Sequence, residues 1–239
     1  NAKLNIVKHQ TAEDYLVYNA DQNTDGLIDF NSYASEKIAV SAEPTDDFQR
    51  KLTTVNPRLI GKHCHQDIFF AMAVARIFGA DDEAVERGVR DFKGIPHRME
   101  PVGTYKDISF YNDSIATIPH AVECAVDALG NINTLIFGGL DRGISYDEFA
   151  DYLDTCPIMN LIGMPDTGYK ICKMLKDRNS KKNIITAENM EEAVKTAYEV
   201  TEKGSVCLLS PAAPSYNVYK NFEYKGNHFK ELVKKFGND

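Results

Sequence analysis

The sequence predicts an α/β protein built around a parallel sheet, and three observations carry that prediction. From residue 133 onward, short apolar runs (NTLIFGG, IMNLIGM, KNIITA, SVCLLS) alternate with amphipathic segments (SYDEFADYL, TGYKICKML, MEEAVKTAYEVTEK). The apolar runs lack the strict in-and-out alternation of a half-exposed strand, so they read as strands covered on both faces. The intervening segments are long enough to carry the chain from one parallel strand to the next.

Taken in order, residues 1–10 read as the end of a helix. DYLVYNA (14–20) and EKIAVSAE (36–43) are rich in branched and aromatic residues and read as strands. Helices are predicted near 66–78 and 82–92, the second opened by Asp81, Asp82 and Glu83, whose charges suit a helix N-terminus. FKGIPHRMEPVG (92–103) has two prolines, two glycines and no period, and reads as a hinge between domains. GTYKDISFYND predicts a hairpin. Ile118, Ala121, Val122, Ala125, Val126 and Leu129 then fall on one helical face. Ser145 is the expected N-cap of the next helix, and the last helix is expected near 227–236.

The chain has 239 residues, 43% of them hydrophobic, enough for one or two domains with a core. A formal net charge of -8 argues against a general nucleic-acid or membrane-surface binder, because both partners call for basic faces. It leaves room for a small anion held by a local cluster of cations. The most apolar run, Ile68–Ala75, is far shorter than the roughly 20 residues of a membrane span. Five scattered cysteines without a CxxC spacing point to reduced, buried thiols in a cytoplasmic protein. The chain starts without Met and already in helical pattern, as a piece of a longer protein would.

In a parallel sheet, ligands bind beyond the carboxyl ends of the strands. The segments expected there are YNDS, GGLDRG, GMPDTG and LSPAAPSYNVYKNF. In the first, an acid and a hydroxyl stand where a strand hands over to a helix, as Asp113 and Ser114, with Thr117 and Pro119 just beyond. Arg142 in GGLDRG can grip a carboxylate through its two-pronged guanidinium. Ser210, Ser215, Tyr216 and Phe222 could hold an amino acid, and Arg98, beside His97 in the hinge, could reach a phosphate. No GxxxxGK[ST] loop is present to cradle phosphates. DQNTDGLIDFNS places Asp21, Asn23, Asp25, Gly26 and Asp29 at calcium-loop positions, but Ser32 falls where a bidentate carboxylate is required. His63, Cys64 and His65 do not converge on a zinc ion from one helix start.

GKHCHQD, FKGIPHRME, YNDSIAT, GGLDRG and SPAAPSYNVYKNFEYKGNHF, in this order, resemble the Mur ligases over essentially the whole chain. The likeness is strongest to members that add D-glutamate to UDP-N-acetylmuramoyl-L-alanine. It implies residues 1–97 as the C-terminal part of the family's central ATP-binding domain and 98–239 as its C-terminal Rossmann-like domain. It further implies an ATP-dependent, magnesium-assisted amide ligase of peptidoglycan synthesis, inactive as the fragment alone. Lys3 would be the lysine carbamylated to hold Mg2+. Cys64, Asp67, Arg98 and Asp113 would contact ATP, and Thr117, Arg142, Ser215, Tyr216 and Phe222 the D-glutamate. Four positions depart from the family's pattern: Ile115 stands where many members have lysine, Arg142 where lysine is common, and Cys64 and Asp67 where asparagines contact the base. A different amino-acid ligase of the Mur type, a folylpolyglutamate synthase, or a non-catalytic calcium module are the alternatives.

Overall fold

The chain separates into two units, Asn1–Lys93 and Gly94–Asp239, in the computed structural model, which describes residues 3–22 and 29–238. The side chain of Lys3 and the calcium-loop candidates Asn23, Asp25 and Gly26 lie outside the described residues.

The first unit opens with a single 3-10 turn, Lys3–Ile6, rather than the end of an α-helix. Strands β1 (Tyr15–Asn19) and β2 (Glu36–Val40) pair in parallel. A strand therefore precedes the calcium-loop candidate, where an EF-hand has a helix. Asp21 is also engaged elsewhere, its Oδ2 accepting the Ala42 N–H at 2.6 Å and Gln66 Nε2 at 3.2 Å. Helix α1 (Asp47–Leu52) was not expected; Asp46 starts it by accepting the Gln49 N–H at 2.7 Å. Helix α2 (Lys62–Ile77) begins four residues before its expected start, because its first turn carries polar residues that no apolar period marks. Helix α3 (Asp82–Asp91) has Asp81 as its N-cap, accepting the Ala84 N–H at 2.8 Å. Val40, Leu52, Ile68, Phe69, Met72, Ala73 and Val85 form this unit's core.

In the second unit, β3 (Glu100–Tyr105) and β4 (Ile108–Asn112) make the expected hairpin. Its turn residues Lys106 and Asp107 both have positive φ, 51° and 64°, the backbone that matches strand twist in a two-residue turn. The chain continues through α4 (Pro119–Leu129), β5 (Ile132–Phe137), α5 (Asp147–Thr155), β6 (Asn160–Gly163) and α6 (Thr167–Asp177). It ends with β7 (Asn183–Thr186), α7 (Met190–Val200), β8 (Val206–Leu209) and α8 (Phe222–Asn238). The sheet order is β3-β4-β8-β5-β6-β7, parallel throughout except for the antiparallel β3–β4 pair at one edge.

Helices α7 and α8 cover one face, where Ala193, Val194, Ala197, Phe229 and Val233 join Phe110, Ile136, Ile162 and Leu209 in one core. Successive strand residues point to opposite faces, so Leu135, Leu161 and Leu208 belong to the other face, and each is 0% exposed. The apolar residues of α4, α5 and α6, among them Val122, Phe149 and Ile171, are buried as well. Both faces are covered, which is why the strand runs read as continuously apolar.

Two local expectations are corrected. Ser145 does not cap α5: Tyr146 holds the cap position, and Ser145 Oγ instead accepts the Asp147 N–H at 3.2 Å and donates to its carboxylate at 2.7 Å. The last helix starts at Phe222, five residues early, because Asn221 Oδ1 accepts the Tyr224 N–H at 3.0 Å and closes a first turn that lacks an apolar period.

Candidate functional site

The topology brings three loops together. Strand β8 lies between β4 and β5, with Asn112 opposite Leu209 and Leu209 opposite Ile136. The chain leaving each strand therefore starts at the same level. The ladder runs on into the loops: Asp113 N–H donates to Leu209 O at 2.8 Å, Ser210 N–H to Ile136 O at 3.1 Å, Gly138 N–H to Pro211 O at 2.9 Å and Leu140 N–H to Pro214 O at 2.7 Å. Glycine is required at 138 and 139, because a Cβ there would meet the carbonyl oxygens of Met164 and Pro214. YNDS, GGLDRG and SPAAPS are thus joined backbone to backbone.

One side of this cluster is a closed polar clamp around Arg98. The Glu100 carboxylate accepts the His97 N–H at 2.9 Å, Asn112 Nδ2 at 2.9 Å and Lys230 Nζ at 2.9 Å. Burial alone would raise the Glu100 pKa; the bonds from the His97 N–H and Lys230 outweigh that and hold it below its ordinary value. Asn112 Nδ2 also meets His97 Nδ1 at 2.9 Å, so that nitrogen accepts and the ring proton sits on Nε2. Burial, with the nearby charge of Lys230, lowers the His97 pKa and favours the neutral ring. Asp113 is 4% exposed; its Oδ2 accepts from Ser210 Oγ at 2.7 Å and its Oδ1 from the Met99 N–H at 3.2 Å. Burial pushes its pKa up to about 6, against those two bonds and the charge of Arg98. Two carboxylates therefore hold the amides on either side of Arg98, whose own side chain is exposed. Gly226 of α8 packs so close to His97 and Ser114 that a Cβ would overlap both.

The other side is open. Arg142 is exposed, and its Nη2 reaches the Thr117 carbonyl at 3.3 Å, linking two of the predicted substrate residues across loops. Its neighbour Asp141 is held by Lys170 Nζ at 3.1 Å and by the Gly143 N–H at 2.8 Å, and these bonds keep its carboxyl below the usual pKa. Ser215 is 2% exposed, and its buried hydroxyl has no hydrogen-bond partner among the described residues. A buried unpaired hydroxyl costs stability unless something outside the chain pairs it. Tyr216 is mostly exposed.

The structure brings Thr117, Arg142 and Ser215 into one cluster of loops and sets Arg98 and Asp113 beside each other. It places Phe222 on the clamp, edge-on to the His97 ring with centroids 5.8 Å apart. Cys64 and Asp67 lie in the first two turns of α2, in the other unit. Sequence reasoning missed Glu100 and Lys225. Lys225 carried a readable signal: it falls on the stripe of α8 that otherwise holds Phe222, Phe229, Leu232 and Val233.

Residues 97–213 match the family model described as Mur ligase, glutamate ligase domain. Over 98% of its length the chain is 37% identical to the UDP-N-acetylmuramoylalanine--D-glutamate ligase of Caldanaerobacter subterraneus subsp. tengcongensis, covering 54% of that protein. It is 35% identical to the ligase of the same name from Geobacillus sp. strain WCH70, again over 98% of the chain and 54% of the relative. The chain thus spans about half the length of the curated relatives it matches. Among solved structures, MurF ligase from Thermotoga maritima in complex with ADP superposes with a TM-score of 0.67 at 14% identity, over 98% of this chain and 57% of that one. Folylpolyglutamate synthase from Mycobacterium tuberculosis, complexed with ADP, gives 0.53 at 15% identity, over 73% and 41%. Those likenesses are of fold alone, while the family model and the sequence matches run across the very loops described above; on these, the chain carries the glutamate ligase domain of the Mur ligase family.

Proposed function

We propose that this chain supplies the amino-acid-receiving part of an ATP-dependent ligase that joins D-glutamate to UDP-N-acetylmuramoyl-L-alanine. The carrying observation is the open cluster of Arg142, Thr117 and the unpaired buried hydroxyl of Ser215 at the carboxyl end of a parallel sheet. The curated relatives named for this reaction support the choice of D-glutamate. ATP supplies the phosphoryl group that activates the substrate carboxylate, so that the amine of the amino acid displaces phosphate and forms the amide.

Within that scheme this chain's side chains bind and orient. The Arg142 guanidinium pairs with a carboxylate of the incoming amino acid, and Ser215 Oγ donates the second bond. Thr117 and Tyr216 border the same ligand, and Phe222 closes it off beside His97. Arg98, held by its neighbours' amides, offers its guanidinium to a phosphate, where charge neutralisation favours transfer. Asp113 stands on the nucleotide side and fixes the loop from which Arg98 projects. Cys64 and Asp67 are the base-contacting positions of the same reading.

Magnesium belongs to the reading through Lys3. Among the described residues no three His, Cys, Asp or Glu side chains converge to hold a metal. Magnesium would be held, with the nucleotide's phosphates, by one or two side chains rather than by an all-protein cage. No helix among the described residues is long and apolar enough to cross a membrane; work in the cytoplasm on small-molecule substrates belongs to the proposed reading.

The test is phosphate release by the whole protein with ATP, UDP-N-acetylmuramoyl-L-alanine and a panel of amino acids. Turnover with D-glutamate but not with L-lysine or meso-diaminopimelate is expected. Turnover only with one of the others, or with a folate, would replace the assignment.

A further inference from the structure

Lys225 is 2% exposed, yet among the described residues no carboxylate lies against it, and its one hydrogen bond there runs from Nζ to the Gly138 carbonyl at 2.5 Å. Burial pushes its pKa down to about 7. Burying an amine with a single acceptor costs stability, and an apolar residue would fit the stripe of α8 on which it lies. What the lysine does that Leu or Met could not is hold that carbonyl.

The carbonyl is the last open valence at the root of the GGLDRG loop. Gly138 N–H is taken by Pro211 O, Gly139 N–H by Thr167 Oγ1 at 3.0 Å, Gly139 O by the Asp166 and Thr167 amides at 2.8 and 3.0 Å, and Leu140 N–H by Pro214 O. With Lys225 on Gly138 O, every backbone polar group of the two glycines has a fixed partner. The next residues, Asp141, Arg142 and Gly143, are exposed. Loop direction is therefore set at the glycines, and a rotation there would swing the Arg142 guanidinium.

We propose that Lys225 is a positioning residue: by clamping the Gly138 carbonyl it aims the 138–143 loop, and with it Arg142, at the carboxylate of an acidic amino acid. The ligand half of this statement rests on the function proposed above; the loop half does not.

The loop half is tested on the 239-residue chain by amide hydrogen exchange in the native protein, K225M and K225R. Exchange at Gly139–Gly143 should be about tenfold faster in K225M, matching the loss of one charge-assisted bond, and return toward native in K225R, with β5 and β8 unchanged. Equal rates in K225M and native protein, or faster exchange spread over the whole unit, would overturn it. The ligand half is tested in the whole ligase. K225M should raise KM for D-glutamate about tenfold with kcat within about twofold and a melting temperature no lower than native, because a buried amine is removed. A lower melting temperature with kcat and KM damaged together would mark Lys225 as merely structural and overturn the proposal. If the native ligase does not use D-glutamate, the functional reading fails on its own, and hydrogen exchange still decides the clamp.

Discussion

The two sides of the loop cluster are built on opposite terms. Around Arg98, the polar groups of Glu100, Asn112, Asp113, Ser210 and His97 are paired within the chain, the Ser114 hydroxyl being the exception among the described residues. Around Arg142, among the described residues, a guanidinium makes one long bond to a carbonyl and the buried Ser215 hydroxyl makes none. Paired groups fix geometry before a ligand arrives, whereas unpaired ones gain most when it does. The clamp should therefore govern stability and the open side should govern affinity.

Asp113→Ala should break the clamp most severely. It leaves Ser210 Oγ and the Met99 N–H buried without their acceptor, a loss of about 3 kcal/mol in urea denaturation. Arg142→Ala should do the reverse. It should weaken D-glutamate by roughly 10- to 100-fold in KM, the range of a charge-assisted pair, with stability changed by less than about 0.5 kcal/mol because the side chain is exposed. Equal effects of the two variants on stability and on KM would erase the contrast.

Acid sharpens the comparison. The Asp113 pKa of about 6 in the fold lies above its unfolded value, so the folded protein binds the extra proton. Its contribution to stability is then most favourable below about pH 4 and declines as pH rises toward 6. Asp113→Asn lacks that proton, so its stability relative to native should improve across this range, by a margin on the order of 2 kcal/mol. Denaturation midpoints of both proteins at pH 4, 5, 6 and 7 check it; a constant difference would contradict the burial of that carboxyl.

Ser215→Ala should have the smallest effect and the most telling sign. Removing an unpaired buried hydroxyl should leave stability equal or higher by up to about 1 kcal/mol, while KM for D-glutamate rises a few-fold. A clear loss of stability would mean that the hydroxyl already has a partner.

Much of the second unit was legible because its signals are local. Continuous apolar runs such as LIF (135–137) mark strands buried on both faces, and the stripe from Val122 to Val126 marks α4. What was not legible depends on contacts distant in sequence or on short caps. Helix α1 has six residues and one cap, too little for a period to show. The order that inserts β8 between β4 and β5 is set by pairing between residues about 70 to 100 positions apart, yet it is what assembles the loops. In the site, Arg142 and Ser215 were readable as polar groups at strand ends. Glu100 was not, because its value lies in accepting bonds from His97, Asn112 and Lys230, three positions no motif links. Lys225 broke an apolar stripe, and that misfit was the clue.

The most direct measurement is a titration of the 239-residue chain with D-glutamate, followed by amide chemical shifts, with L-lysine as control. Saturable shifts at residues 117, 140–143 and 215–217, absent with L-lysine and lost in R142A, are expected. Shifts confined to other parts of the chain, or none at all, would show that the Arg142 guanidinium and the Ser215 hydroxyl do not share a ligand.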